Sequence, residues 1–451
     1  MKTKRFVSFA TALLLSAFSF QLSAYSQGSL TPPGAPAPTM KSLDQIEPRT
    51  PISSVPITIT NPGSYYLTSN LTVVGFNGNG ITINADDVTF DLSGFVITGD
   101  GSANNSGVQV IVPHHDICVR NGTIRNIGAG AGVYAPKASN CRFEQLALYA
   151  NGEDGITAGP ATRVIGCVAQ NNGVIGINLG DGSVAKDCVS QLNGIGIATG
   201  NACVVTDCSV VSNNFGGITC RSGNRLQGCT VAYNTNFPGI TVTDGASIVN
   251  CSVYGNVNGG ITGGTGCIIS DCSAVNNRFG PGISCGPGSI VQGCAAALNG
   301  LDGISASNSL VRDCSAWENF ANGIDAAAST VSGCDAQNNI QDGISVHNSN
   351  LFGTGCLIIG NNCQENGQSD VGGGLSYANI NIYGSFHRIE GNHVVTSLTI
   401  PGISTFATAG TNNVITRNSV YGYNSYLVLG NDVGPLGVAA TATSPWANIS
   451  H

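Results

Sequence analysis

A parallel β-solenoid, all-β and running as one domain of about fifteen coils, is the fold class the sequence predicts, and three phase-locked ladders predict it. The dipeptide Gly-Ile stands at ten in-phase positions from Gly155 to Gly343, at steps of 20 to 22 residues. Nine cysteines from Cys167 to Cys334 step at the same interval, and an Asn stands five positions after each, from Asn172 to Asn339. A period this short and this regular describes a repeat that buries its apolar face only by stacking on its neighbours.

The chain of 451 residues opens with Lys2, Lys4 and Arg5, an apolar run from Phe6 to Phe20 and small residues around Ala24. This is the pattern of an export signal, with cleavage near Ser26, so residues 1–26 are read as a signal peptide and the protein as secreted, periplasmic or surface-held. The apolar run is shorter than the ~20 residues a bilayer span needs, and no later stretch is long enough, so no membrane span is expected after cleavage. Residues 27–56, with Thr31-Pro32-Pro33-Gly34-Ala35-Pro36-Ala37-Pro38, read as an extended Pro-rich arm.

Within each repeat, the residue just before the ladder cysteine is always Gly, Asp or Asn: Gly166, Asp187, Asp207, Gly228, Asn250, Asp271, Gly293, Asp313 and Gly333. These three residue types tolerate positive φ at least cost, which places a tight left-handed corner there. Between corners lie short β-branched segments such as Ser247-Ile248-Val249, too short and too rich in Gly for helices. The Ile of Gly-Ile, the Cys and the apolar residue two positions after it are expected to face inward. There each stacks on its counterpart ~4.8 Å along the axis. The ladder Asn is expected at a corner, its amide bonding to the coils above and below. Cys141, Asn79-Gly80-Ile81, Gly107-Val108 and Gly132-Val133 mark the first coils, and segments near Gly374-Leu375 and Gly402-Ile403 the last. The solenoid is bounded at 57–430, followed by a cap or tail at 431–451.

The ladder, together with Asn79-Gly80-Ile81-Thr82-Ile83-Asn84-Ala85-Asp86-Asp87-Val88-Thr89-Phe90-Asp91-Leu92 and Arg120-Asn121-Gly122-Thr123-Ile124, resembles the right-handed β-helix repeat proteins of the pectin-lyase-like superfamily. The resemblance spans roughly Ile57 to Tyr426 and implies a right-handed coil, in keeping with the general hand of parallel crossovers. It also implies a polysaccharide or cell-surface glycan as partner. Enzymes of that superfamily act on uronate-containing glycans as lyases, hydrolases or epimerases, the lyases with Ca²⁺. Their Gly-His-Gly and Arg-Ile-Lys signatures do not occur in this sequence. The expectation is therefore an exported scaffold that meets a glycan without a recognisable catalytic set, with a divergent glycan-cleaving or epimerising site as the alternative. No cofactor is evident, and Ca²⁺ enters only with the enzyme reading.

A net charge of −8 and a pI near 5.1 exclude a nucleic-acid groove, which needs a concentrated basic face, and oppose anionic polymers unless a local basic patch or cation intervenes. The 17 cysteines are odd in number and mostly on one ladder, so a buried thiol stack is expected in place of disulfides. Asp302 and Asp342, each before Gly-Ile, are the leading acidic candidates, in one column with Asn322 and ~9–10 Å apart by strand spacing. Their simpler role is turn formation, which Asp154 shares. His387, Arg388 and His393, with Glu390, sit together in a late coil as further catalytic candidates. His114, His115 and Asp116 are the densest metal-binding cluster, with no partner carboxylate placed beside them by the sequence.

Overall fold

The computed structural model describes residues 48–75, 78–102, 105–348, 355–368, 377–397, 400–405, 412–421, 423–425, 432–433, 436–438 and 444–450. The expected signal peptide, residues 27–47 of the Pro-rich arm and Gly374-Leu375 lie outside them. Contacts divide the chain into Met1–Arg49 and Thr50–His451, and the second unit is the solenoid. Its described residues contain strands and no α-helix.

Each full coil has three strands and three corners. In the coil around Cys294, the first strand is Ile290–Gln292, the second Ala295–Ala297 and the third Ile304–Ser307. All pair in parallel with the same strand of the next coil: Val291 opposite Val311, Ala296 opposite Ala316, Ile304 opposite Ile324. First and second strands merge into one 34-stranded sheet and the third strands form a column of 17, the two-to-one ratio a three-strand coil requires.

The three expected inward positions are observed. Ile304, Val311 and Ala316 are fully buried, as are their counterparts in other coils, and Cys167 to Cys334 lie inside at the second corner. Ladder Asn residues occupy the third corner. Asn234 donates both its backbone N–H and its side-chain amide to Asn256 Oδ1, at 3.0 and 2.9 Å, and Asn256 Nδ2 reaches back to Val231 O at 3.1 Å. Every polar group of such an Asn is thus used along the axis, which is what allows an amide at 0% exposure.

This ladder also explains the Gly of Gly-Ile. A Cβ on Gly303 would lie 2.6 Å from both Asn319 Nδ2 and Gly323 O, so the third strand passes the Asn corner too closely for any side chain.

The residue before each ladder Cys has positive φ, as expected: Asp187 at 54°, Asn250 at 52°, Gly293 at 62°. Two further left-handed corners were not expected. The residue before the ladder Asn is also left-handed, even where it is Leu192, Tyr233 or Leu298, at 56°, 55° and 55°. A third left-handed residue precedes the first strand, as Ala161, Ala202, Asn308 and Ala328 show. Each costs ~1–2 kcal/mol in a residue with a Cβ, which the axial hydrogen bonds of the next residue offset.

The ends differ from the sequence boundaries. Thr50–Ile52 already stacks on Gly63–Leu67, so the solenoid begins before Ile57. At the other end, Asn448–Ser450 stacks on Ser419–Tyr421 and Asn448 Oδ1 accepts from Asn418, so this part of the expected tail forms another coil. The Cys ladder does not stop at Cys334: Asn361, Asn392 and Asn418 take over its corner, each bonded to the next.

Candidate functional site

All 17 cysteines are buried and unpaired. Their thiols serve the corners: Cys188 Sγ donates to Lys186 O at 3.2 Å and Cys203 Sγ to Gly180 O at 3.2 Å. Burial pushes the Cys141, Cys285 and Cys356 thiols up to about 11 and Cys220 to about 12, so they persist as neutral thiols.

The late-coil candidates are not one constellation. His387 stands in the first-corner column, 1% exposed, where Cys356 N–H donates to its Nδ1 at 2.9 Å and Nε2–H faces Tyr383 O at 3.1 Å. Burial drives its pKa down to about 4, so it is a neutral corner residue, taking the role that Asn413 plays one coil later. Arg388 points outward from the first strand and pairs with Glu390 at 2.6 Å, which Arg417 also holds at 3.0 Å. His393 lies on the second strand against Tyr421, ring centroids 5.7 Å apart. Three separate structural tasks account for them.

The acidic column is real, and it is more than a run of turns. Asp302 Oδ1 accepts from Asn322 N–H at 3.0 Å, Asn322 Oδ1 from Asp342 N–H at 3.1 Å, and Asp342 Oδ1 from Ala378 N–H at 2.8 Å. Asp154 makes the same bond to Ile175 N–H at 2.9 Å. What distinguishes these aspartates is the residue after the inward Ile of the third strand in the following coil. For Asp154 that residue is Asn178, donating to Oδ2 at 3.1 Å, and for Asp342 it is Asn381, donating at 3.1 and 3.3 Å. For Asp302 the equivalent residue is Asp325. An acid there adds its charge, and the amide that bonds Asp302 is that of Asn322.

Electrostatics follow from this substitution. Burial, and then the charge of Asp325, raise the Asp302 carboxyl to about 6. Asp342, more deeply buried, rises to about 7, mainly by burial, with Asp325 and Asp302 adding to it. His347, next along the outward face of the third strand, binds Asp325 Oδ1 through Nε2 at 2.8 Å, and that bond raises the His347 pKa. Tyr383, stacked on His347 in register, accepts from Asn381 Nδ2 at 2.7 Å, and burial lifts its pKa to about 12. Asp325 and His347 remain one quarter to one third exposed, while Asp342 is closed off. Asp325 and His347 escape the ladders because outward strand positions bear no repeat constraint; the one sequence signal is that the residue after Gly-Ile is acidic at Asp325 alone among the ten repeats from Gly155 to Gly343.

The second cluster gains partners that sequence spacing did not reveal. Asp86 and Asp87, from the preceding coil, stand beside His114, His115 and Asp116. His114 Nδ1 meets Asp86 Oδ1 at 2.8 Å and His115 Nδ1 meets Asp116 Oδ2 at 2.8 Å. The Asp116 and Asp86 carboxylates hold the His115 pKa above its ordinary value.

Comparison with known proteins bears on the fold. Residues 238–384 match the family model described as "Right handed beta helix region", a stretch that includes Asp302, Asp325, Asp342 and His347. The chain is a right-handed parallel β-helix repeat protein. No curated protein sequence matches it. Among solved structures it is similar to the A-module of the Azotobacter vinelandii mannuronan C-5 epimerase AlgE6, at 15% identity over 86% of this chain and 91% of that one, TM-score 0.27. It is also similar to the periplasmic alginate epimerase AlgG, at 12% identity over 79% and 76% of the two chains, TM-score 0.35. A third is the Dettilon tailspike protein gp208, at 15% identity over 82% and 63%, TM-score 0.30. At these identities the likeness is one of fold alone. Among the described residues, no helix is long and apolar enough to cross a membrane.

Proposed function

We propose that the protein is an exported β-helix that binds a glycan along its third-strand face and cleaves it by acid–base chemistry at Asp302 and Asp325. The observation that carries the reading is that Asn178 and Asn381 donate to Asp154 and Asp342, whereas the equivalent residue for Asp302 is the acid Asp325, whose charge adds to burial in raising the Asp302 carboxyl to about 6. A buried carboxyl with a raised pKa beside a second carboxyl offers an acid and a base in one place. Asp302 keeps the proton, because it is the more buried partner, and donates it to a leaving oxygen. Asp325, oriented by His347, accepts a proton from water. A glycan suits the face because the neighbouring half-buried residues Ser284 and Ser305 offer hydroxyls at the coil spacing. Export rests on the basic and apolar pattern at Lys2 to Phe20.

A neutral glycan fits better than a uronate polymer. Carboxyls dominate the cluster, and no lysine or arginine figures in what sets Asp302 or Asp342. A reducing-end assay across neutral and uronate polysaccharides, with unsaturated products followed in parallel, tests this. The expected outcome is cleavage of a neutral glycan that declines as pH rises through about 6 and falls at least 10²-fold in Asp302→Asn and Asp325→Asn. Binding without cleavage would return the protein to a scaffold, and unsaturated products would make it a lyase.

A further inference from the structure

The corner between the third and first strands near the start of the solenoid brings together groups that the glycan-cleaving reading does not use. Asp87 lies at this corner in one coil, and His115 and Asp116 lie at the same corner in the next. Asp87 N–H donates to His115 O at 3.2 Å, and His115 bridges in turn to Ser139. Backbone stacking therefore fixes the spacing, and one ligand atom from each of Asp87, His115 and Asp116 lies within 4.8 Å of the others. Neighbours hold them in place. Asp86 Oδ1 accepts from His115 N–H at 2.9 Å while pairing with His114, and Asn140 donates its amide to Asp116 Oδ1, leaving Oδ2 to His115. Independently, Asp116 also borders a polar recess of about 340 Å³ whose other walls are Asn140, Cys141, Arg142 and Arg163. The recess adjoins Asp116 and extends along the following coils, and its two arginines suit an anion.

We propose that Asp87, His115 and Asp116 bind one divalent transition-metal ion of the Zn²⁺ type, with solvent at this exposed corner completing the coordination. One imidazole and two carboxylates with an open position match the donor set that Zn²⁺ accepts, in tetrahedral geometry at ~2.0–2.2 Å. Ca²⁺ fits less well, since it needs six to eight oxygens and one of the three donors here is nitrogen. On binding, the ion takes the place of the proton shared by His115 Nδ1 and Asp116 Oδ2.

Isothermal titration of the purified full chain with Zn²⁺ and with Ca²⁺, and Co²⁺ substitution read by absorption, test the site. One equivalent of Zn²⁺ is expected, with Ca²⁺ at least tenfold weaker. Affinity should fall at least tenfold in His115→Ala and in Asp87→Asn, and stay unchanged in Asp187→Asn at a distant corner. Unchanged melting curves would show that the variants are folded. The Co²⁺ spectrum should lack sulfur-to-cobalt charge transfer. Sulfur bands, a preference for Ca²⁺, no binding, or full affinity in both variants would each overturn the proposal.

Discussion

Replacing Asp342 by Asn should stabilise the protein at alkaline pH and leave it unchanged in acid. Asp342 is 2% exposed and its carboxyl is raised from 3.8 to about 7, chiefly by burial. A carboxyl whose folded pKa is raised binds its proton more tightly in the folded state. Its contribution is therefore fully present below about pH 4 and is lost as pH rises towards 7. At ~1.4 kcal/mol for each pH unit between the two values, the ionised form costs on the order of 4 kcal/mol above pH 7. Asn at this place cannot ionise, and it retains an oxygen for the 2.8 Å bond from Ala378 N–H. The register already accepts it, since Asn322 holds the same position one coil earlier. If the solenoid of some 400 residues melts as one unit, 4 kcal/mol corresponds to roughly 5 °C. Calorimetry at pH 4 and pH 8.5, with hydrogen exchange on Ile344–His347 to catch local opening, measures it. A melting temperature that follows the wild type across this pH range, or one lowered equally at both ends, would refute the assignment of a buried, proton-holding carboxyl.

Asn256→Ala removes the acceptor of two bonds from Asn234 and the donor to Val231, and should cost ~2–4 kcal/mol, seen as lost exchange protection in the coils on either side. Leu298→Asn should stabilise by several tenths of a kcal/mol to ~1 kcal/mol by melting, because Leu298 is left-handed, 37% exposed and gains little from burial. Under native conditions none of the 17 thiols should react with a maleimide within minutes, and all should react once unfolded, as mass spectrometry would count. His387→Asn, which copies the neighbouring Asn413, should fold and leave glycan cleavage intact, whereas loss of cleavage would restore His387 as a catalytic candidate.

The ladders made the core legible because an inward position in a stacked coil has neighbours of its own kind on both sides, so selection by packing repeats with the coil. Ile, Cys and Asn could be assigned to inside and corner from their spacing alone. The second and third left-handed corners were not legible, because the residues that adopt them include Leu192, Tyr233 and Ala161, whose intrinsic preferences oppose the conformation. There the axial bonds of the following residue decide the backbone, and propensity loses. His387 was misleading for the same reason: at its corner the column accepts Ser329, Cys356 and Asn413 alike, provided the side chain takes a hydrogen bond from the coil before.

The acidic column shows where repeat logic stops and chemistry begins. Asp154, Asp302 and Asp342 look alike in sequence, and all three do the same structural task for the next coil. Their difference lies one coil further on, in the residue after the inward Ile of the third strand. An amide there neutralises the demand of the carboxylate, as Asn178 and Asn381 do, and a second carboxylate at Asp325 does not. A scaffold under selection for stability alone gains nothing by facing Asp302 with Asp325, since an Asn at either position would remove the repulsion. The pair is therefore a point in these coils where one buried acid meets the charge of another, with the bond from Asp325 to His347 set against it. His347, bonded to Asp325 at 2.8 Å, orients its carboxyl on the outward face. Asp325→Asn should accordingly raise the melting temperature at pH 8 while it abolishes cleavage, an opposition between stability and activity that a purely architectural role for Asp325 could not produce.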